Sequence, residues 1–281
     1  MTLASWIADG ENRLRGAPHP ERARRDAETL LLHLMGRDRA YLIAHSEEAL
    51  SGEAAARYEW LLSRRLAGEP IQYITGETEF YGLPFRVDRS VLIPRLETEH
   101  LVEKSLSLAE AFPNPRLVDV GTGSGAIAVA LAHKLPAAQV TAIDLSPQAL
   151  AVARANAERN SVAKRIRFLE GSLLAPVAGE SFDIVVSNPP YVPETDRTSL
   201  SVEVRDHEPE LALFAGNDGL AVYHELIPQA HAVLVPGGFL VLEVGCGQHN
   251  AVAALLEASG FNQIEFIPDL QGIQRVVTGR R

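Results

Sequence analysis

The residues whose types and spacing most readily suggest chemistry are Asn188-Pro189-Pro190-Tyr191, directly after the apolar run Phe182-Asp183-Ile184-Val185-Val186-Ser187. Each proline fixes its own φ, lacks an N–H and pushes the residue before it into extended backbone, so Asn188 and Pro189 have few conformations open to them. Such a segment presents oxygen acceptors with few competing donors. The Asn188 side-chain carbonyl and the Pro189 main-chain carbonyl can together receive both hydrogens of an –NH2 group, and Tyr191 can lay a flat ring against a planar amide or base. An ordinary proline turn after a strand fits Asn-Pro-Pro alone equally well. The rest of the chain has to decide.

A second cluster precedes it: Asp119-Val120-Gly121-Thr122-Gly123-Ser124-Gly125, at the end of another apolar strand. Glycines here let the backbone turn tightly into a helix and let a ligand approach the main chain. Gly121, Gly123 and Ala126 also satisfy the dinucleotide fingerprint, so the loop alone is ambiguous. Asp144 closes the next strand at the spacing of an acid that binds ribose hydroxyls, although a helix cap ahead of Pro147 competes for it. Three features favour a methyl donor over a nicotinamide. Asp119 suits a cationic amino or sulfonium group and would repel a pyrophosphate. The fourth strand delivers an amide holder rather than a hydride-transfer acid or base. The last two strands, after Gly260, suit a hairpin at the sheet edge. Together they indicate S-adenosylmethionine.

These residues need a sheet to position them, and the chain supplies one. From Arg116 onward, strands at Arg116–Val120, Gln139–Asp144, Ile166–Leu169, Phe182–Ser187, Phe239–Val244, Asn262–Ile267 and Gln274–Thr278 alternate with helical stretches. This predicts an α/β fold with a doubly wound, mostly parallel sheet of seven strands. Pro236-Gly237-Gly238 marks the turn into the fifth strand, and Pro193 to Glu210 is a long charged loop beside the site. Upstream, Leu3, Trp6, Ile7 and Leu14 recur at helical spacing, Ala27, Leu30, Leu31 and Leu34 share a face before Gly36, and Tyr58, Leu61, Leu62 and Leu66 share another after Ser51. The organisation read from this is a helical domain over 1–75, a β-hairpin linker over 76–94 around Gly82-Leu83-Pro84, and a catalytic domain over 95–281 that opens with a helix running from Pro94 to about Phe112.

At 281 residues, 46% apolar and 22% charged, with a formal net charge of −10, the composition is globular and gives no electrostatic reason to grip nucleic acid through phosphates. The ten arginines before Gly68 are offset by eleven acids up to Glu69 and read as a solvated surface. No stretch has the length of a membrane span and the first residues lack a signal-peptide core, so a cytoplasmic location is expected. The single cysteine, Cys246, excludes an internal disulfide, and the nine histidines show no metal-ligand spacing.

The chain resembles the release-factor glutamine methyltransferases, the PrmC/HemK family. The resemblance spans nearly the whole length: the helical N-terminus, Tyr73-Ile74-Thr75-Gly76 with Phe80-Tyr81-Gly82, Val91-Leu92-Ile93-Pro94-Arg95, the glycine loop, Asn188-Pro189-Pro190-Tyr191, Glu208-Pro209 before Asn217-Asp218-Gly219-Leu220, and Asp269-Leu270-Gln271-Gly272. It implies the class I S-adenosylmethionine-dependent methyltransferase fold and methylation of the glutamine of the Gly-Gly-Gln motif in class I release factors. The helical domain suits a protein partner, the acidic charge balance argues against direct nucleic-acid binding, and a monomer is expected. By the same resemblance Gly121, Thr122, Gly123, Ser124, Gly125 and Asp144 hold the donor and Leu173 lines its adenine. Asn188 touches both donor and substrate amide, while Pro189, Pro190 and Tyr191 complete the substrate site. Two positions depart from the family: Leu96 stands where a proline is common, and Ser172 where an aspartate often precedes the adenine-lining residue. Asn-Pro-Pro-Tyr is shared with methyltransferases acting on nucleobase amines, so a nucleobase or a ribosomal-protein glutamine is the alternative acceptor, and a non-catalytic nucleotide-binding module is a further one.

Overall fold

The computed structural model describes residues 1–281. In chain order the helices are α1 (Leu3–Leu14), α2 (Ala23–Met35), α3 (Arg39–Ala44), α4 (Gly52–Leu66), α5 (Ile71–Thr75), α6 (Thr98–Ala109), α7 (Ala126–Lys134), α8 (Pro147–Arg159), α9 (Val202–His207), α10 (Ala221–Val233) and α11 (His249–Ala258). The strands are β1 (Glu77–Phe80), β2 (Leu83–Arg86), β3 (Arg116–Val120), β4 (Gln139–Asp144), β5 (Ile166–Glu170), β6 (Phe182–Ser187), β7 (Leu234–Glu243), β8 (Asn262–Pro268) and β9 (Gln274–Arg280). No helix is long and apolar enough to cross a membrane.

The chain forms two compact units: residues 1–77 with 200–207, and residues 78–199 with 208–281. In the helical unit, Thr2, Asp38 and Ser51 cap α1, α3 and α4 by accepting main-chain N–H groups, and Gly36 closes α2 in the left-handed conformation (φ +60°). Its core joins Leu3, Ile7 and Leu14 to Ala27, Leu30, Leu31, Tyr58 and Leu62. Leu66, expected on that face, is 42% exposed, because the apolar stripe of α4 runs out in its last turn. Arg65, 1% exposed, donates to Asp26 (2.6 Å) and to the Glu69 carbonyl (3.1 Å), and it pairs with Glu203 of α9. That pairing corrects the expectation of one loop over 193–210. Val202 packs against Gly68, where a Cβ would lie 2.7 Å from Val202 Cγ1, so residues 200–207 fold as a helix of this unit.

In the other unit the seven-stranded sheet runs β5-β4-β3-β6-β7-β9-β8, parallel except for the antiparallel pairs β7–β9 and β9–β8. The central strands β3, β4 and β6 are buried and mainly apolar on both faces, as a sheet covered on both sides requires. Leu117, Val140, Ile184, Val186 and Val241 face α6, α7 and α8, whereas Val118, Ile143, Val185, Leu240 and Leu242 face α10 and α11. Strand β7 begins at Leu234, so Pro236-Gly237-Gly238 lies inside it rather than ahead of it. These residues shift the β6–β7 register and stay paired, with the Gly237 N–H donating to Arg281 and the Arg281 N–H donating to Gly238. The hairpin turns at Tyr81-Gly82, both with positive φ, a two-residue loop whose twist matches the strands. Asn156 of α8 is wholly buried, accepts the Arg86 N–H (2.6 Å) and donates to the carbonyls of Arg86 (2.9 Å) and Ser124 (2.8 Å), which ties hairpin and glycine loop to one helix.

Candidate active site

Strand order reverses between β3 and β6, and in open α/β sheets the crevice outside the strand ends at such a point is where ligands bind. A cavity of about 330 Å³ opens there. Its wall takes Gly121 and Gly123 from the end of β3, Asp144 from β4, Gly171, Ser172 and Leu173 from β5, and Asn188 and Pro190 from β6. The register explains the convergence: Val120 pairs with Ile143 and with Ser187, so all three loops leave the sheet at one level. The Ser187 hydroxyl fastens two of them by donating to the Val120 carbonyl (2.7 Å).

The glycine loop is curled by two N–H groups, of Gly121 and Thr122, that both donate to the Ile143 carbonyl at 2.9 Å. Gly121 (φ +72°) needs its glycine for conformation, and nothing lies within 4 Å of where its Cβ would stand, so the bare backbone faces open cavity. Gly125 (φ +81°) needs glycine for conformation too, and a Cβ there would also sit 3.0 Å from Ala153 Cβ. Asp144 accepts the Gly123 N–H (2.8 Å) on one oxygen and the Ser146 N–H (2.9 Å) on the other, leaving lone pairs of both free. The helix cap is Ser146, whose hydroxyl accepts the Ala149 N–H, and Asp144 is thereby left to the cavity. Leu173 reaches the wall from a left-handed conformation (φ +49°), held by the Leu174 N–H donating to Gln229.

Asp119 lies elsewhere than the sequence suggested. It is fully buried beneath the loop and does not line the cavity, and its Oδ2 accepts from the Thr122 hydroxyl (2.6 Å) and the Ala128 N–H (3.1 Å). Burial pushes its carboxyl up to about 7, Thr122 and Ala128 pull it back, and Asp144 adds to the rise. Thr122 and Ser124 are buried with it. Asp119, through Thr122 and the Ala128 N–H, braces the loop from below.

Beyond β6, Asn188 donates its Nδ2 to Thr98 Oγ1 (3.1 Å). Thr98, the first residue of α6 and 4% exposed, donates to Glu243 Oε2 (2.6 Å), and Glu243, the last residue of β7, is 1% exposed. Tyr191 does not reach the cavity wall. Its hydroxyl points to Glu243 Oε1 (3.4 Å), and burial, then Glu243, raises it well above the usual phenol range. Burial also pushes Glu243 up to about 7; Thr98 and Tyr191 oppose this, Glu97 reinforces it, and Arg275 opposes it. The Tyr191 carbonyl accepts from Gln248 Nε2 (3.0 Å), and Gly219 packs so closely that a Cβ would stand 2.2 Å from that carbonyl oxygen. Pro189 is buried between Asn188 and Pro190. The remaining motifs pair up: Arg95 donates to both oxygens of Glu208 (2.8 and 2.7 Å), and Arg275 donates to Asp269 (3.0 Å).

Thr98, Glu243 and Asn156 were not anticipated. Glu243 had one signal, a carboxylate ending an otherwise apolar strand at the level of Ser187, with which neighbouring Leu242 pairs. Thr98 opens α6 beside the acid Glu99, and nothing in its spacing connected it to Asn188, 90 residues away.

Comparison with known proteins places these features in context. Residues 5–76 match a model described as the PrmC N-terminal domain, and residues 98–204 match the methyltransferase small domain. The chain is 42% identical over 282 aligned residues to the release factor glutamine methyltransferase of Koribacter versatilis, covering 100% of this chain and 99% of that one. It is 44% identical to the protein of the same name from Deinococcus radiodurans, again over 100% and 99%. Among solved structures, a methyltransferase from Pyrococcus furiosus shares the fold at 19% identity, with a TM-score of 0.51 over 72% of this chain and 90% of that one.

Proposed function

The chain belongs to the release factor glutamine methyltransferase family, and on that premise we propose that it methylates the side-chain amide nitrogen of the glutamine in the Gly-Gly-Gln motif of class I release factors, with S-adenosylmethionine as donor. The observation that carries the reading is the Asn188 amide. Its nitrogen is engaged with Thr98 while the residue stands on the cavity wall, so its carbonyl oxygen is the atom left for an acceptor –NH2.

The cavity suits this donor. Gly121 and Gly123 leave the space that side chains would fill, Asp144 keeps lone pairs for two neighbouring hydroxyls, and Leu173 offers an apolar edge to a purine. When bound, S-adenosylmethionine supplies an electrophilic sulfonium methyl. Everything else falls to the protein. A glutamine nitrogen is a poor nucleophile because its lone pair is delocalised into the carbonyl, and no residue of the Asn188-Pro189-Pro190-Tyr191 motif suits removal of a proton before attack. Asn188 Oδ1 and the Pro189 carbonyl instead accept the two N–H groups, favour a pyramidal nitrogen and aim its lone pair into the cavity; with donor bound, forming the N–C bond would break the methyl–sulfur bond, leave S-adenosylhomocysteine with the electron pair and send one N–H proton to solvent. Positioning of this kind supplies roughly 7–11 kcal/mol in favourable cases, against about 1 kcal/mol for an ordinary hydrogen bond, so geometry dominates. The Tyr191 ring contributes by packing, its hydroxyl being turned toward Glu243.

The helical unit serves substrate recognition, residues 76–94 link it to the catalytic residues 95–281, and the enzyme acts in the cytoplasm as a monomer on a protein rather than on nucleic acid. The test is incubation with methyl-labelled S-adenosylmethionine and an intact class I release factor, with the label located by mass spectrometry. Label on the Gly-Gly-Gln glutamine is expected. Label confined to RNA or to another protein would refute the choice of substrate.

A further inference from the structure

An asparagine amide can sit either way round, and only one way serves the reading just given, on which this inference rests. A substrate –NH2 needs the carbonyl oxygen of Asn188, not its N–H groups. The side chain cannot settle this itself, since its two ends have nearly the same shape. The deciding group is Thr98, whose hydroxyl has a single proton. That proton goes to Glu243 Oε2 across 2.6 Å, so toward Asn188 the Thr98 oxygen can only accept, and it is the Asn188 nitrogen that meets it at 3.1 Å.

We propose that Glu243 is a positioning residue for methyl transfer: through the one hydroxyl proton of Thr98, its carboxylate holds the Asn188 amide with nitrogen inward and carbonyl oxygen toward the acceptor. Neither residue lines the cavity, and neither exchanges a proton with substrate. They form a polarity relay. If Glu243 gains a proton on Oε2, that O–H donates to Thr98, the Thr98 proton is freed to point at Asn188, and the amide turns to accept it. The cavity then receives N–H groups where it had an acceptor, opposed to the N–H groups of the substrate. The relay therefore works with ionised Glu243 and reverses when it is protonated.

The groups around Glu243 set where that reversal falls. Thr98 comes from α6, Tyr191 from the segment after β6, Arg275 from β9 and Glu97 from just before α6, while the Tyr223 hydroxyl of α10 donates to the Glu243 main-chain carbonyl (2.7 Å). Burial and Glu97 delay ionisation; Thr98, Tyr191 and Arg275 promote it. The balance puts the carboxyl near 7, so the rate of methyl transfer should climb as pH rises through neutrality.

The test uses the full chain, saturating S-adenosylmethionine and an intact class I release factor, with donor affinity read separately by calorimetry using S-adenosylhomocysteine. Thr98→Val keeps the shape and removes the relay, and it should lower kcat by about 10- to 100-fold, the range a misplaced acceptor gives, with donor affinity unchanged. Thr98→Ser restores the hydroxyl and should recover the rate to within a few-fold. Glu243→Gln, which cannot ionise, should be slow and should lose the rise of rate around neutral pH. A Thr98→Val rate equal to wild type would overturn the relay, as would Thr98→Ser as slow as Thr98→Val, or a Glu243→Gln profile keeping the wild-type rise. If the wild-type protein labels no release factor, the proposed substrate fails and takes the relay with it. If it labels normally and the variants give any of those overturning results, the relay alone is at fault.

Discussion

Replacing Asp144 by asparagine separates a donor-binding role from a loop-bracing one. The carboxylate accepts N–H groups from Gly123 and Ser146 at 2.8 and 2.9 Å, one on each oxygen. An asparagine must turn its NH2 toward one of them, and the orphaned N–H costs about 1–3 kcal/mol whether or not a ligand is bound. That loss belongs to folding and should lower the thermal midpoint. Binding loses something different: a charged acceptor for a ribose hydroxyl, about 2–3 kcal/mol relative to a neutral or absent partner. At 1.4 kcal/mol per factor of ten, donor affinity should weaken by about 30- to 150-fold. Titration calorimetry with S-adenosylhomocysteine measures the second effect, and differential scanning calorimetry without ligand the first. An Asp144→Asn protein with a lowered midpoint but a dissociation constant within about fivefold of wild type, far below the range just derived, would refute the donor role and leave Asp144 as a brace.

Three further outcomes follow. Asn188→Ala should abolish turnover while leaving S-adenosylhomocysteine binding partly intact; near-wild-type activity in the label-transfer assay would remove positioning as the mechanism. Gly219→Ala should slow turnover and destabilise by about 1–3 kcal/mol, because its Cβ would stand 2.2 Å from the Tyr191 carbonyl oxygen at a φ of +75°, and an unchanged urea midpoint would contradict that packing. The Asp119 carboxyl, raised from 3.8 to about 7, keeps its proton in the folded chain while the unfolded chain has lost it. Stability from this group therefore falls as pH rises through that window, and Asp119→Asn should make the decline measured by chemical denaturation from pH 5 to 7.5 shallower than in wild type.

How much of this could be read in advance differs by residue, for physical reasons. The strands β3, β4 and β6 were legible to the residue because buried parallel strands are apolar runs ended by glycine, acid or proline. The start of β7 was not, since Pro236-Gly237-Gly238 has the composition of a turn and is rescued as strand only by hydrogen bonds with Gly237 and Gly238 from Arg281, 44 residues downstream of Gly237. Asn188 and Asp144 announced themselves through backbone restriction and strand-end position. Thr98 and Glu243 acquire meaning from a contact between the start of one helix and the end of a strand 145 residues later, which periodicity does not encode. Asp119 shows the converse: its proximity in sequence to the glycines was informative, but the direction of its side chain depended on Thr122 and Ala128 competing for it.

The short helix α9 has a consequence for how this protein can be taken apart. Residues up to 199 and from 208 belong with the sheet, yet 200–207 fold with the first 77 residues. The path of the chain is thus a stitch rather than a hinge pin, and no single cut releases the helical unit whole. A fragment beginning at residue 78 would carry Val202 and Glu203 away from Gly68 and the buried Arg65, stripping that guanidinium of a carboxylate partner. Domain exchange between relatives must move two segments together, and substitutions at Arg65 and Glu203 are expected to be inherited as a pair.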